Sequence, residues 1–143
     1  MSKVDEAVEC FCSGAACSQA IAATYGPAYG LPREQAMRLA AGFAGGMRRG
    51  ETCGVVTGAF IVLGLRYAGP NCDKPDGRAE IYAAQRDFVT RFEERDQTIV
   101  CKELLGCDIS TPAGAERATR EGLFRTICPR LVQDAAEILE DML

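Results

Sequence analysis

The sequence predicts an all-α fold: a single domain, residues 1–143, built as a bundle of six or seven helices around a buried central helix. Three observations carry that expectation. Apolar residues recur at helical spacing in one segment after another, and no pair of alternating, strand-like runs flanks a tight turn. The run from Gly54 to Leu65 is uncharged and apolar on every side, which marks a helix enclosed by others. At this length a chain buries roughly 68–70% of its unfolded surface, enough for a core that needs no disulfide staples.

Taken in order, Val4, Val8, Phe11 and Ala15 mark the apolar face of a first helix, which Ser13-Gly14 interrupts. Ser13 then caps a new turn carrying Cys17, Ala20, Ile21 and Thr24. A loop follows through Tyr25-Gly26-Pro27 and Tyr29-Gly30. Pro32 suits a first helical position and Glu34 adds first-turn acidity, so a second helix follows with Met37, Ala40 and Ala44 on its inner face. The central helix stops at Gly69-Pro70-Asn71, and a polar loop runs from Cys72 to Gly77. A long amphipathic helix covers about Arg78 to Arg95, with Ile81, Ala84, Phe88 and Phe92 on one side. Thr98 caps a short helix that Gly106 ends. Thr111-Pro112 opens a helix running to near Ile127, and Cys128-Pro129 opens the last, striped by Leu131, Ala135, Ile138 and Met142.

The chain is organised around GGMRRGETCGVVTGAFIVLGL, Gly45 to Leu65. Its first part is a pliant, basic loop. Thr52 has the side chain of an N-cap and places Cys53 in the first turn of the central helix, where free N–H groups and the helix dipole favour an anion. Cys53 is therefore expected to ionise more easily than an ordinary thiol. Arg48 and Arg49 either draw an anionic partner, stabilise that thiolate, or form a merely solvated loop. Glu51 either exchanges protons with Cys53 or is an ordinary first-turn acid. Gly54 and Gly58 fall on one face and let a neighbouring backbone come close.

A net charge of −4 argues against nucleic acid or an anionic membrane surface as partner. No apolar run approaches the roughly 20 residues of a membrane span. Met1 to Glu9 is polar and acidic, without the apolar segment of a targeting signal, so the expected location is cytoplasmic. Eight cysteines and no histidine then narrow the chemistry. In a reducing compartment, clustered cysteines serve metal or redox chemistry more often than disulfide scaffolding. Without histidine there is no Cys-His dyad, no Ser-His-Asp triad and no imidazole ligand, so any soft-metal site is thiolate-rich. No C-x-x-C occurs, which excludes a thioredoxin-type motif and a zinc ribbon.

Four cysteines share a placement. Cys17 follows the Ser13-Gly14 break, Cys53 follows Thr52, Cys101 lies three residues after Thr98, and Cys128 precedes Pro129, which pushes it into a cap position. Each is at an expected helix start, where a thiolate is favoured. Brought together, such starts would line a pocket with N–H groups and sulfur. Cys10, Cys12, Cys72 and Cys107 lack this placement and are expected to be packing or incidental thiols, Cys107 being the one able to approach Cys101. The bland alternative for any of the eight is burial as a small hydrophobe.

GGMRRGETCGVVTG, the upstream Gly14-Ala15-Ala16-Cys17-Ser18-Gln19-Ala20, the CKELLGCDI segment and the late Cys128 together resemble the C_GCAxxG_C_C family of redox-active proteins, from about Glu6 to the C-terminus. The resemblance implies four functional cysteines, which fall on Cys17, Cys53, Cys101 and Cys128, as redox thiols or as ligands of a metal or cluster. The family's C-G-A-x-x-G element reads Cys53-Gly54-Val55-Val56-Thr57-Gly58, with Val55 where the family has alanine. An iron–sulfur cluster is the cofactor that the resemblance brings in. The expectation is thus a redox-active protein, an oxidoreductase or electron-transfer component with a separate redox partner, working by a cluster or by dithiol/disulfide exchange. The alternatives are a structural zinc module with four thiolate ligands and a helical interaction protein with inert thiols. A homodimer is compatible with each.

Overall fold

The computed structural model describes all 143 residues. The chain is helical throughout, and its β-type pairing is a lone antiparallel bridge between Thr52 and Val100. In order the helices are α1 (Lys3–Cys12), α2 (Cys17–Tyr25), α3 (Arg33–Ala40), α4 (Gly54–Tyr67), α5 (Ala79–Asp96), α6 (Cys101–Leu105), α7 (Pro112–Arg120), α8 (Leu123–Thr126) and α9 (Cys128–Met142). No helix is long and apolar enough to cross a membrane.

Local chemistry accounts for most of these boundaries. Ser2 caps α1, its hydroxyl accepting the Asp5 N–H while the Asp5 carboxylate takes the Ser2 N–H. The break at Ser13-Gly14 is present, but Ser13 does not start α2. Gln19 does, reaching back to accept the Ala16 N–H at 2.9 Å while its amide donates to the Met37 carbonyl at 3.0 Å. Pro32 caps α3 from one residue outside it. Thr111 accepts the Gly114 N–H at 3.0 Å with Pro112 next, as the Thr-Pro pair predicts. The helix expected from Thr111 to near Ile127 is two. Gly122 adopts a left-handed φ of 68°, which ends α7 and turns the chain into the single turn of α8.

The main core comes from α1, α2, α4, α5 and α9. α4 is its centre, with Val55, Val56, Ala59, Val62 and Leu63 sealed from solvent. Ile81, Ala84, Phe88 and Phe92 form the inner face of α5, and Phe88 meets the Phe60 ring edge-on at 6.4 Å. The buried face of α9 is wider than one stripe, adding Val132, Ala136 and Leu139, because α9 packs against α1, α2, α4 and α5. The most extensive helix contact is between α2 and α4. It is as close as it is because Gly58 presents no side chain: a Cβ there would lie 2.8 Å from the Ser18 carbonyl oxygen. Ser18, fully buried, donates its hydroxyl to the Ala40 carbonyl at 2.7 Å and so ties the start of α2 to the end of α3.

One buried acid stands out. Asp96, at the end of α5, is buried against Asp134 of α9, with Arg130, Arg95 and Glu137 around the pair. Burial pushes its carboxyl up to about 7, and the hydrogen bond and charge of Asp134 add to this against the opposing pull of Arg130 and Arg95. Its Oδ2 accepts no N–H or O–H donor, as suits an oxygen that carries the proton itself. An unfolded aspartate titrates near 3.9, so the folded state holds this proton more tightly. The stabilisation is present at low pH and is lost as pH rises through about 7. The unfolding free energy from urea titrations should therefore fall between pH 5.5 and 8, by on the order of 1 kcal/mol once the full linkage of about 2 kcal/mol is discounted for solvent screening. Asp96→Asn should flatten that slope and be the more stable form at pH 8. Parallel pH profiles for the two proteins would remove the carboxyl pair from consideration.

Candidate functional site

Cys17, Cys101 and Cys128 are the first residues of α2, α6 and α9, and Cys53 is the N-cap residue of α4. All four line one cavity of about 150 Å³. Phe11, Leu104, Leu105, Ile109, Phe124 and Leu131 supply its apolar walls. The other cysteines lie outside it. Cys12 and Cys72 are exposed. Cys10 is buried with the Arg33 guanidinium 3.3 Å from its sulfur. Cys107 does approach the neighbourhood, sharing an apolar cluster with Cys101, but its S–H points to the Gly114 carbonyl at 3.5 Å.

Two local structures bring distant helix starts together. Residues on either side of the Thr52–Val100 bridge pair through their backbones: the Cys53 N–H donates to the Ile99 carbonyl at 2.7 Å, and the Cys101 N–H donates to the Glu51 carbonyl at 2.5 Å. This zips Cys53 and Cys101 into one corner. Thr52 is engaged in that bridge and does not cap α4, which has no side-chain cap at all. Thr98 likewise acts one step early, its hydroxyl accepting the Val100 N–H at 3.1 Å and donating to Glu103 at 2.6 Å. The second structure is a left-handed turn. Gly45, Gly46, Met47 and Arg48 all hold positive φ, between 59° and 67°. Left-handed geometry disfavours a residue with a Cβ by roughly 1–2 kcal/mol, so Met47 and Arg48 are held against their preference. The turn folds the chain back so that Gly45 and Arg48 line the cavity together with Cys17.

The protonation order reverses the expectation for Cys53. Cys17 is the acidic thiol, lowered to about 7. The largest cause is the hydrogen bond from the Cys53 S–H; the N–H groups of Gly45, Ser18 and Cys17 itself assist, and burial opposes. Cys53 is only 5% exposed, and its thiol is pushed well up because it is the donor to Cys17, because it is desolvated, and because a Cys17 thiolate repels a second charge. The helix start alone would favour a Cys53 thiolate, but a buried neighbour of the same kind decides otherwise. Cys101 rises to about 11 and Cys128 to about 12, in each case through burial first and the Cys17 charge second. Arg48 opposes the rise at Cys101 and lines the cavity, whereas Arg49 and Glu51 are exposed and do not line it. The Cys17 sulfur rests directly on α4, where a Cβ at Gly54 would come within 2.5 Å of it.

Sequence reasoning did not find Gln19, Ser18 or the Gly45 N–H, which position and solvate Cys17, nor the α6–α8 residues that wall the cavity. Gln19 carried the one readable signal, a glutamine three residues after the N-cap Ala16, the spacing of a capping box. A backbone N–H offers no such signal, because its direction depends on the left-handed turn.

No curated protein and no solved structure matches the chain. One family model does, across residues 15–142, described as "Putative redox-active protein (C_GCAxxG_C_C)". The match begins just before Cys17 and ends with the last residue of α9, so it takes in every cysteine that lines the cavity together with the helices that hold them. On that span, the chain belongs to the C_GCAxxG_C_C family of redox-active proteins.

Proposed function

We propose that the redox unit is the Cys17–Cys53 pair, working by dithiol/disulfide exchange. The observation that carries this reading is the placement of the pair: Cys17 and Cys53 line one cavity at the starts of α2 and α4, with the half-buried Cys17 thiol lowered and the buried Cys53 thiol raised by their mutual interaction. The thiolate is the attacking species in exchange, and its partner supplies the resolving sulfur. The Cys17 thiolate attacks one sulfur of a substrate disulfide, a Cys17–substrate mixed disulfide forms, and the first substrate thiolate leaves. Cys53 then gives up its proton and attacks the Cys17 sulfur, expelling the second substrate thiolate. Two protein thiols become one disulfide, one substrate disulfide becomes two thiols, and the proton balance closes through solvent. The reverse sequence reduces the protein.

A second reading follows from Cys101 and Cys128 lining the same cavity. Four thiols are the donor set that an iron–sulfur cluster takes, and Cys17, Cys53, Cys101 and Cys128 would be the ones to hold it. Such a cluster would supply one-electron transfer. No three of these side chains are grouped closely enough to hold one metal ion, so neither a structural zinc nor the cluster draws support beyond the shared cavity, and exchange remains the leading reading.

Purification without oxygen, followed by iron and sulfide analysis and a titration against redox buffers with peptide mapping, separates these readings. Exchange by this pair gives colourless protein, one two-electron transition and a Cys17–Cys53 linked peptide. Stoichiometric iron and sulfide, lost on Cys101→Ser or Cys128→Ser, would replace it with the second reading. A transition confined to Cys12 or Cys72 would sink both.

A further inference from the structure

We propose that Arg48 is an anion clamp at the mouth of the cysteine cavity, and that the site therefore takes disulfides bearing a carboxylate close to the reacting sulfur. This rests on the exchange reading of Cys17 and adds a substrate class to it. Among the residues lining the cavity, Arg48 is the one that carries a charge and the one that is exposed to solvent. Its guanidinium has no partner: it enters none of the chain's ion pairs and none of its side-chain hydrogen bonds, whereas Arg91, Arg95, Arg117, Arg120 and Arg130 all pair with carboxylates. It is also aimed. The backbone at Arg48 is held at φ 59°, and the side chain folds back along the turn, so that a Cβ at Gly45 would lie 2.9 Å from its Nη1. Gly45, Arg48 and Cys17 all line the same cavity, so guanidinium and sulfur face one space. The surroundings favour the same sign. Between Arg33 and Gly50 there are four arginines and one glutamate, in a chain whose net charge is −4.

A planar guanidinium with free N–H groups beside an apolar cavity suits a carboxylate, which it can bind through two parallel hydrogen bonds. The apolar walls accept the rest of a small organic disulfide, and no acidic lining residue opposes an anion. Binding the carboxylate at the rim holds the substrate sulfur over Cys17, so the effect falls on positioning of the mixed-disulfide step. The bonds formed and broken are those already given.

Three disulfides of differing charge test this: dithiobis(nitrobenzoate) as the dianion, hydroxyethyl disulfide as the neutral probe and cystamine as the dication. Each rate with reduced protein is divided by the rate with a simple free thiol, which removes intrinsic reactivity. The normalised order should be anion, then neutral, then cation. Arg48→Asn, chosen because asparagine tolerates left-handed backbone, should lower the anion-to-neutral ratio about tenfold, the scale of a charge-assisted bidentate contact. Arg48→Lys should keep much of the ratio, Arg49→Gln should leave it unchanged, and added salt should erode it in the unmodified protein. An Arg48→Asn change that slows all three disulfides equally would mean the arginine acts on thiol reactivity alone and would overturn the clamp. An unchanged ratio would do the same. Alkylation of Cys17 by iodoacetate against iodoacetamide reads the clamp without any exchange step. An Arg48-dependent preference for iodoacetate would sustain the anion site even where disulfide exchange fails, whereas no preference in the unmodified protein, or one that survives Arg48→Asn, would sink the clamp and leave the exchange reading standing.

Discussion

Cys17→Ser should abolish the fast phase of thiol alkylation at mildly acidic pH. At pH 6 a thiol lowered to about 7 is roughly one-tenth ionised, while an ordinary thiol near 8.5 is roughly thirtyfold less so. Lower basicity makes each thiolate less nucleophilic, which takes back about fivefold, so the net advantage of Cys17 over an ordinary thiol of equal access is roughly five- to tenfold. Loss of that phase, read by timed alkylation and mass mapping, leaves only the slow reaction of the exposed thiols. The sharper comparison is at Cys53. Cys53→Ala removes the hydrogen bond that is the largest cause of the Cys17 shift, so the midpoint of the alkylation profile should move from about 7 toward the ordinary thiol value. Cys53→Ser keeps an O–H donor and should hold the midpoint low. Cys101 and Cys128, raised to about 11 and about 12, should stay unmodified until strongly alkaline pH. Preferential labelling of Cys53, with no change on losing Cys17, would overturn the assignment and restore Cys53 as the reactive thiol.

Sizeable stability effects of opposite sign are expected from three glycines of α4. Alanine is intrinsically better than glycine in a helix by roughly 0.8–1.0 kcal/mol. At Gly64 no atom lies within 4 Å of the added Cβ, so Gly64→Ala should gain about that amount. At Gly58 the Cβ would sit 2.8 Å from the Ser18 carbonyl oxygen and 3.2 Å from the Ser18 Cα. These are backbone atoms of a helix pinned by the Ser18 hydroxyl on Ala40, so the clash can be relieved only by prying α2 from α4. Overpacking of this kind destabilises by about 1–3 kcal/mol, and the upper end is expected because no rotamer change relieves it. For a chain of this size that is a fall in Tm of roughly 5–10 °C. Gly54→Ala adds a functional consequence. Its Cβ would press on the Cys17 sulfur from 2.5 Å, so it should disturb the Cys17 alkylation midpoint as well as Tm. Thermal melts of the three variants decide the matter: a Gly58→Ala protein as stable as Gly64→Ala would mean that the two helices are not held by this contact.

What the sequence by itself determined is local and periodic. Thr111-Pro112 announced the start of α7, because the cap and the missing N–H act within one turn. Ile81, Ala84, Phe88 and Phe92 announced the inner face of α5, because helical period and burial coincide there. Gly54 and Gly58 announced a close approach, because absent side chains leave room whatever fills it. Cys17, Cys53, Cys101 and Cys128 were legible as residues at helix starts for the same reason. Which of these sulfurs loses its proton was decided by the tertiary structure alone. Helix-start geometry is common to all four, so the ranking depends on neighbours far away in the chain: Cys53 donating to Cys17, the Gly45 N–H swung in by a left-handed turn, and the desolvation of Cys101 and Cys128 under α6 to α8. The Asp96–Asp134 pair belongs to the same category, since neither aspartate departs from an ordinary surface pattern until α5 and α9 are laid side by side. Thr52 shows the limit from the other direction. Its side chain is that of a cap, but the backbone pairing of Thr52 with Val100 claims the residue first, because two helix starts gain more from being zipped together than one gains from a hydroxyl.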